Sequence, residues 1–200
     1  MAMTPETRDY RMFEMRAMPV TDSETGGKQY RVEGYAAKFN EETVLYEVDG
    51  IQYKEVIRPG AFSGAKMQDV VMNFNHGGKP VARTKNGTLQ LTVDRTGLHI
   101  VADLGGTEEG RRLYEEIQGG YIDKMSFAFT VRTSEYDKVK HLRSIIAFNR
   151  VFDVAAVDIP AYDGTEIAAR SWAKAEAVRE QAAEVARRKL EIKLSTYGIN

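Results

Sequence analysis

The chain has 200 residues and a formal net charge of −1, from 28 Lys and Arg against 29 Asp and Glu. This near balance gives no overall field that would attract nucleic acid or an anionic membrane, so neither is expected as a partner. No run of about 18 apolar residues occurs, so no bilayer-spanning helix is expected. The absence of cysteine excludes disulfides, thiolate catalysis and Cys-based zinc sites. We expect a soluble intracellular protein.

The first 27 residues mix charges, methionines and the turn-rich segment TDSETGGK. They show no sustained apolar face, and such termini are commonly disordered. The sequence therefore predicts a flexible N-terminal arm over residues 1–27 and a folded domain over residues 28–171.

Alternating apolar residues predict a series of short strands between residues 30 and 104. The alternation slips its phase at Gly34, which predicts a β-bulge there. Asp49-Gly50 predicts a tight hairpin, because both residues tolerate a positive φ. A second hairpin is predicted to turn at residues 94–97.

A short helix is predicted to begin after Thr107, whose hydroxyl can accept a hydrogen bond from an orphan backbone N–H group. Leu113 and Ile117 would share one face of this helix, and Gly119-Gly120 would end it.

Two further segments, residues 125–132 and 145–159, are typical of core strands. Together the elements predict a mainly β, α+β fold with one or two helices, arranged as a partly closed antiparallel β-barrel or sandwich. After Trp172 the composition shifts to strong helix formers. Residues 172–200 are therefore predicted to form a charged C-terminal helix or tail, either docked on a partner or exposed to solvent.

Three polar residues carry the chemical hypothesis. Asp153 lies in the apolar segment VFDVAAVDI, where an ionised carboxylate is costly unless it is paired. Ser126 lies in MSFAFTV beside the small Ala128, and His76 lies where an apolar strand gives way to glycines. A serine, a histidine and a carboxylate are the parts of an activated nucleophile, so hydrolysis is the first hypothesis.

Each residue also has a purely structural interpretation. His76 alone fits a surface histidine, Ser126 fits a strand serine bonded to backbone, and Asp153 fits a partner for a buried arginine. His99 and His141 are alternative histidines. Asp158 is a less favoured alternative to Asp153, because it lies on the opposite face of the same strand.

The sequence contains no motif that predicts a metal site or a cofactor site. The sequence contains no HExxH, no HxH and no histidine pair at i, i+4. It also contains no GxxxxGK[ST] and no GxGxxG. We therefore expect neither a metal nor a cofactor.

The order of segments resembles that of the prohead serine proteases of tailed bacteriophages. GYAAKFN, EVIRPGAF, NFNHGGKPVART, KMSFAFTV and VFDVAAVDIPAYDGTEIAAR follow one another, and the resemblance covers roughly residues 30–170. The family is similar in fold to the herpesvirus assembly proteases. The resemblance implies that His76 is the general base, Ser126 the nucleophile and Asp153 the third member. In the herpesvirus relatives the third member is a histidine, so His99 and His141 stay open.

The resemblance also implies a substrate and a place of action. Members cleave the scaffold part of the major capsid protein, and often themselves, inside the assembling procapsid in the host cytoplasm. The alternative is a non-catalytic scaffold or capsid-binding module of the same fold. Relatives often have glycine at the position of Ala128, where alanine could limit the approach of substrate. The sequence leaves open the oxyanion-hole donors, the cleavage-site preference and whether the active form is a homo-oligomer.

Overall fold

The computed structural model describes residues 8–22, 28–158, 185 and 187–189. It includes one short 3-10 helix, Thr84–Asn86. Strands dominate, as the sequence predicted. In chain order the strands and the α-helix are β1 (Asp9–Ala17), β2 (Thr21–Asp22), β3 (Lys28–Gln29), β4 (Arg31–Lys38), β5 (Thr43–Val48), β6 (Ile51–Ile57), β7 (Val71–Phe74), β8 (Gly77–Arg83), β9 (Leu89–Val93), β10 (Gly97–Asp103), α1 (Glu108–Gln118), β11 (Lys124–Asp137) and β12 (Leu142–Val157).

One sheet joins most of the described strands, in the order β5-β6-β12-β11-β1-β4-β10-β9, and β7 and β8 branch from it. β11 and β12 form its long antiparallel hairpin. The first part of β12 pairs in parallel with β6, and its last part pairs in parallel with β7. A single strand, β12, therefore separates β11 from the β7–β8 hairpin.

The predicted closure into a barrel is not found among the described strands. The sheet is open, because β5 and β9 end the order and each pairs with one neighbouring strand. Alternation along a strand reports which face is buried, whereas closure depends on pairing between the first and last strands. The open sheet corrects the barrel prediction, and the kinship with herpesvirus proteases stays a prediction.

Residues 9–17 form β1, although they fall in the predicted flexible arm. β1 lies between β11 and β4 near the middle of the sheet. Its first residues pair with β11 and its last three pair with β4. Charged residues interrupt its apolar pattern, so the strand depends on pairing with distant segments rather than on local propensity. The arm prediction is wrong for this stretch.

Both predicted hairpins are present. Asp49 and Gly50, with φ of 52° and 77°, connect β5 to β6. These two positive values are the backbone geometry that a two-residue hairpin loop favours. Residues 94–96 connect β9 to β10.

The bulge in β4 lies two residues beyond its predicted position. Pairing with β10 shifts register between Tyr35 and Ala37, so Ala36 is the extra residue. Gly34 has a different role. A Cβ at this position would lie 2.5 Å from the carbonyl oxygen of Glu14. Such a distance is far below van der Waals contact, so glycine permits β1 and β4 to approach each other.

Helix α1 forms as predicted. The Thr107 hydroxyl accepts a hydrogen bond from the Gly110 N–H at 2.9 Å, Leu113 and Ile117 are buried, and Gly119 caps the end. The predicted C-terminal helix lies outside the described residues, apart from helical residues 185 and 187–189. Within the described chain, no helix has the length and apolarity to cross a membrane.

The two faces of β11 differ in character. Phe127 and Phe129 stack on each other with centroids 4.7 Å apart, and Phe148 packs edge-on against Phe129. All three rings are fully buried, and burying a phenylalanine stabilises the fold by about 1.5–3 kcal/mol. The opposite face of β11 carries Ser126 and Ala128.

A buried charge cluster lies on the aromatic side of the sheet. Glu55 accepts hydrogen bonds from Arg11 at 2.6 and 2.7 Å and from Arg143 at 3.1 Å, and Arg143 also contacts Asp9. Burial by itself lowers the pKa of Arg11, but the charge and hydrogen bonds of Glu55 outweigh it and raise that pKa. The cluster connects β1, β6 and β12.

Candidate active site

The β7–β8 turn presents His76. Asn75 and His76 have φ of 49° and 55°, which is the left-handed conformation that a two-residue hairpin loop requires. The Asn75 N–H donates to the carbonyl of Ala156 at 2.9 Å, and its side-chain amide donates to Asp158 at 2.9 Å. These bonds fix the turn against the end of β12.

Asp158 therefore has a structural partner. Its backbone N–H donates back to the Asn75 side-chain oxygen at 3.3 Å, completing a reciprocal pair. Asp158 holds the turn that carries His76, whereas the imidazole itself is bonded elsewhere.

His76 and Asp153 contact each other directly. Nδ1 of His76 lies 2.5 Å from Oδ1 of Asp153. The His76 side chain is 17% exposed and the Asp153 side chain is 9% exposed, so little water competes for the bond. With the carboxylate ionised, Nδ1–H donates to it and Nε2 carries the lone pair. The pair thereby fixes a tautomer that can accept a proton.

Ser126 lies on β11, the strand next to the one that carries Asp153. It is fully buried and pairs with Ala155 of β12 on one side and Met12 of β1 on the other. Neither Ser126 Oγ nor His76 Nε2 has a hydrogen-bond partner among the described residues. The atoms that a nucleophile and a base would use are thus both buried and unsatisfied.

Two rows of residues cross the sheet at this site. Residues directly opposite one another on paired strands share a face, and the members of each row are paired successively across β1, β11, β12 and β7. Serine and aspartate occupy adjacent rows on the same face. The first row is Tyr10, Ala128, Asp153 and Val71, and the second is Met12, Ser126, Ala155 and Asn73.

The imidazole spans the first row. The His76 ring meets the Tyr10 ring edge-on at a centroid distance of 4.6 Å and also bonds Asp153. Ala128 lies between Tyr10 and Asp153 in that row, so the imidazole crosses the sheet above Ala128. Ser126 lies two residues from Ala128 on β11 and on the same face. The imidazole therefore lies above the row next to that of Ser126.

The alternative histidines lie elsewhere. His99 is 3.7 Å from Glu33 and packs against Tyr35. His141 packs against Tyr53, and its Nδ1 lies 3.3 Å from the Tyr136 hydroxyl. Neither has a recorded contact with His76 or Ser126 within the described chain.

A cavity of about 700 Å³ with a mixed polar and apolar lining lies along β1, and His76, Ser126 and Asp153 are not among its lining residues. It begins at Met12, the cross-strand neighbour of Ser126, and continues along β1 past Glu14 and Arg16. Glu33 and His99 form part of its far wall. Of the row that contains the serine, the cavity therefore reaches Met12 and not Ser126 itself.

Among the described residues, no group of three or more His, Cys, Asp or Glu side chains could hold a metal ion.

A family model described as caudovirus prohead serine protease matches residues 16–181. This chain belongs to that family. Membership confirms the resemblance read from the segment order, and it places the chain in a family of phage serine proteases.

The fold of this prohead protease family member is similar to that of the bacteriophage T4 capsid assembly protease, gp21. The TM-score is 0.51 at 10% sequence identity, and the match covers 76% of this chain and 99% of that chain. At this identity the likeness concerns the fold alone. No curated protein sequence matches the chain.

Two site residues were missed by the sequence reasoning. Tyr10 falls in the predicted arm, and nothing local signals that it reaches His76. Asn73 could have been noticed in the sequence, because it is a polar residue between Met72 and Phe74 in an otherwise apolar strand. Its row and burial became evident only with strand pairing.

Proposed function

We propose that this chain is a serine endopeptidase that cleaves the scaffold segment of the major capsid protein during prohead maturation, and that it also cleaves itself. The observation that carries the proposal is the bond between His76 and Asp153 on the sheet face of Ser126, whose hydroxyl has no hydrogen-bond partner in the described part of the chain. Family membership supports the same class of chemistry. Its place of action would be the assembling procapsid in the host cytoplasm.

In this mechanism the Ser126 hydroxyl transfers its proton to Nε2 of His76 as Oγ bonds the scissile carbonyl carbon. The carbonyl π electrons move to oxygen, and the tetrahedral species then expels the amine, which takes the proton from His76. Water attacks the resulting ester with His76 again as base, and Ser126 is released. Asp153 orients the imidazole and stabilises its positive form.

Substrate access requires a path to a buried hydroxyl. The cavity along β1 supports a path for an extended polypeptide, because Met12, the cross-strand neighbour of Ser126, lines it together with acidic and basic side chains. The side chains over the serine would have to move aside when a substrate binds.

The test is cleavage of purified capsid protein by the wild-type chain and by Ser126→Ala, His76→Ala and Asp153→Asn. Loss of a member of such a triad costs on the order of 10⁴-fold in rate. Ser134→Ala, on the same strand but outside the two rows, serves as the matched control and should cleave normally. Undiminished cleavage by Ser126→Ala would refute the assignment.

The alternative third members are tested in the same assay. We expect His141→Ala to retain cleavage and His99→Ala to retain kcat, because each histidine packs away from His76. His99 lines the cavity along β1, so any effect of its variant should be on KM alone. Loss of activity in either variant with the fold intact would transfer the third role from Asp153 to that histidine.

The second candidate function is a non-catalytic capsid-binding module. Active-site labelling separates the two, since a fluorophosphonate reacts with an activated serine. Labelling that disappears in Ser126→Ala supports the protease, whereas capsid binding without labelling or cleavage favours the module.

A further inference from the structure

Asn73 is a buried polar residue that the mechanism above does not use. Its residue exposure is 7%, and its Oδ1 has no hydrogen-bond partner in the described part of the chain. An amide left unsatisfied in the interior destabilises a folded protein. Its presence calls for a partner that arrives from outside the chain.

The position of Asn73 points to that partner. Ser126, Ala155 and Asn73 are paired successively across β11, β12 and β7, so they share one face and one row. Two strand spacings, roughly 10 Å, separate the serine from the asparagine. The residue between them is Ala155, whose small side chain is fully buried, so the groups that cover it would have to move aside to admit a peptide group.

The neighbouring strand is bulged opposite Asn73. Met72 pairs with Ala82 and Phe74 pairs with Gly77. One residue of β7 therefore stands opposite four residues of β8, and the regular pairing is interrupted at Asn73. Bulges of this kind are frequent next to active sites.

We propose that the side-chain amide of Asn73 binds the oxygen of the scissile carbonyl and donates a hydrogen bond to it as the oxyanion forms. This inference rests on the proposed function of Ser126. As Oγ adds to the carbonyl carbon, the π pair moves to oxygen, and an N–H of Asn73 stabilises the charge. A rotation of the amide exchanges its oxygen and nitrogen without moving the rest of the side chain.

The experiment uses Asn73→Leu, which keeps a similar volume but removes the donor. Its kcat on a peptide spanning the scaffold segment should fall by about 10²–10³-fold with KM changed only a few-fold. The rate of fluorophosphonate labelling at Ser126 should fall in parallel, because the phosphoryl oxygen occupies the same position. Met72→Leu, on the opposite face of β7, is the matched control.

Thermal unfolding distinguishes this role from a structural one. Replacing an unsatisfied amide with a hydrocarbon should leave the Tm unchanged or raise it while kcat falls. Unchanged kcat and labelling in Asn73→Leu would overturn the proposal, as would a lowered Tm accompanied by loss of activity. If Ser126→Ala cleaves like the wild type, or the wild type neither cleaves nor labels, the proposed function fails first and this inference fails with it.

Discussion

The ring of Tyr10 meets the imidazole of His76 edge to face, with their centroids 4.6 Å apart and their planes at 68°. Tyr10 lies on β1 and His76 on the β7–β8 turn, so two strands stand between their backbones. Asp153 holds the other side of the same imidazole. The His76 imidazole therefore lies between the Tyr10 ring, which it contacts, and the Asp153 carboxylate, to which it is hydrogen-bonded.

Removing the Tyr10 ring should make the position of the His76 imidazole less well defined. We expect Tyr10→Ala to lower kcat by about 3–10-fold, because aromatic pairs contribute roughly 0.5–1.5 kcal/mol. Tyr10→Phe keeps the ring and should retain most of the activity. Steady-state cleavage of a scaffold peptide measures both variants, and equal activity in Tyr10→Ala and wild type would show that Tyr10 does not position the base.

The His76 imidazole above Ala128 should limit the size of the side chain that position 128 can accommodate. We expect Ala128→Val to reduce cleavage by at least about 100-fold, since displacing a catalytic group by about 1 Å has that effect. Ala128→Gly removes only a methyl group and should stay within a few-fold of wild type, with a strand penalty of about 0.5–1 kcal/mol. Full activity in the valine variant would contradict the placement of the ring.

Glu55 should be a critical residue for stability rather than for chemistry. We expect Glu55→Gln to lower the free energy of unfolding by about 3–5 kcal/mol, because it leaves Arg11 and Arg143 in the interior without their shared carboxylate. Chemical denaturation measures the loss. Glu42→Gln removes the exposed partner of Lys54 and should change stability by no more than about 1 kcal/mol.

Asp94 should titrate at lower pH than an ordinary aspartate. The Tyr35 hydroxyl donates to its carboxylate at 2.7 Å, and this bond, with backbone N–H groups of the turn, lowers its pKa below the usual 3.8. Because the folded-state pKa is depressed, the contribution to stability is present above about pH 4. It is lost as the pH falls through the folded-state value.

NMR titration of the Asp94 carboxyl tests this directly. In Tyr35→Phe its pKa should move up toward the usual value, and the stability difference between wild type and variant should shrink as the pH falls below 4. An Asp94 pKa that does not respond to Tyr35→Phe would show that the hydrogen bond is not its cause.

Local signals succeeded where the physical cause is local. The Asp49-Gly50 turn depends on two backbone conformations, and the Thr107 cap depends on one hydroxyl and a nearby N–H, so a few adjacent residues suffice to predict each. Gly34 shows where local signals fail. The sequence predicted a bulge at this glycine, but glycine is needed there because β1 approaches from elsewhere in the chain.

The chain by itself determined the strand-rich composition, the hairpin turns, the short helix and the candidates His76, Ser126 and Asp153, because each is written in neighbouring residue types or in segment order. Tertiary structure decided that β1 belongs in the sheet, that the sheet stays open, and that Tyr10 and Asn73 share the face of the serine. Those outcomes depend on which strands pair and in what register, and a register is settled by contacts between residues dozens of positions apart.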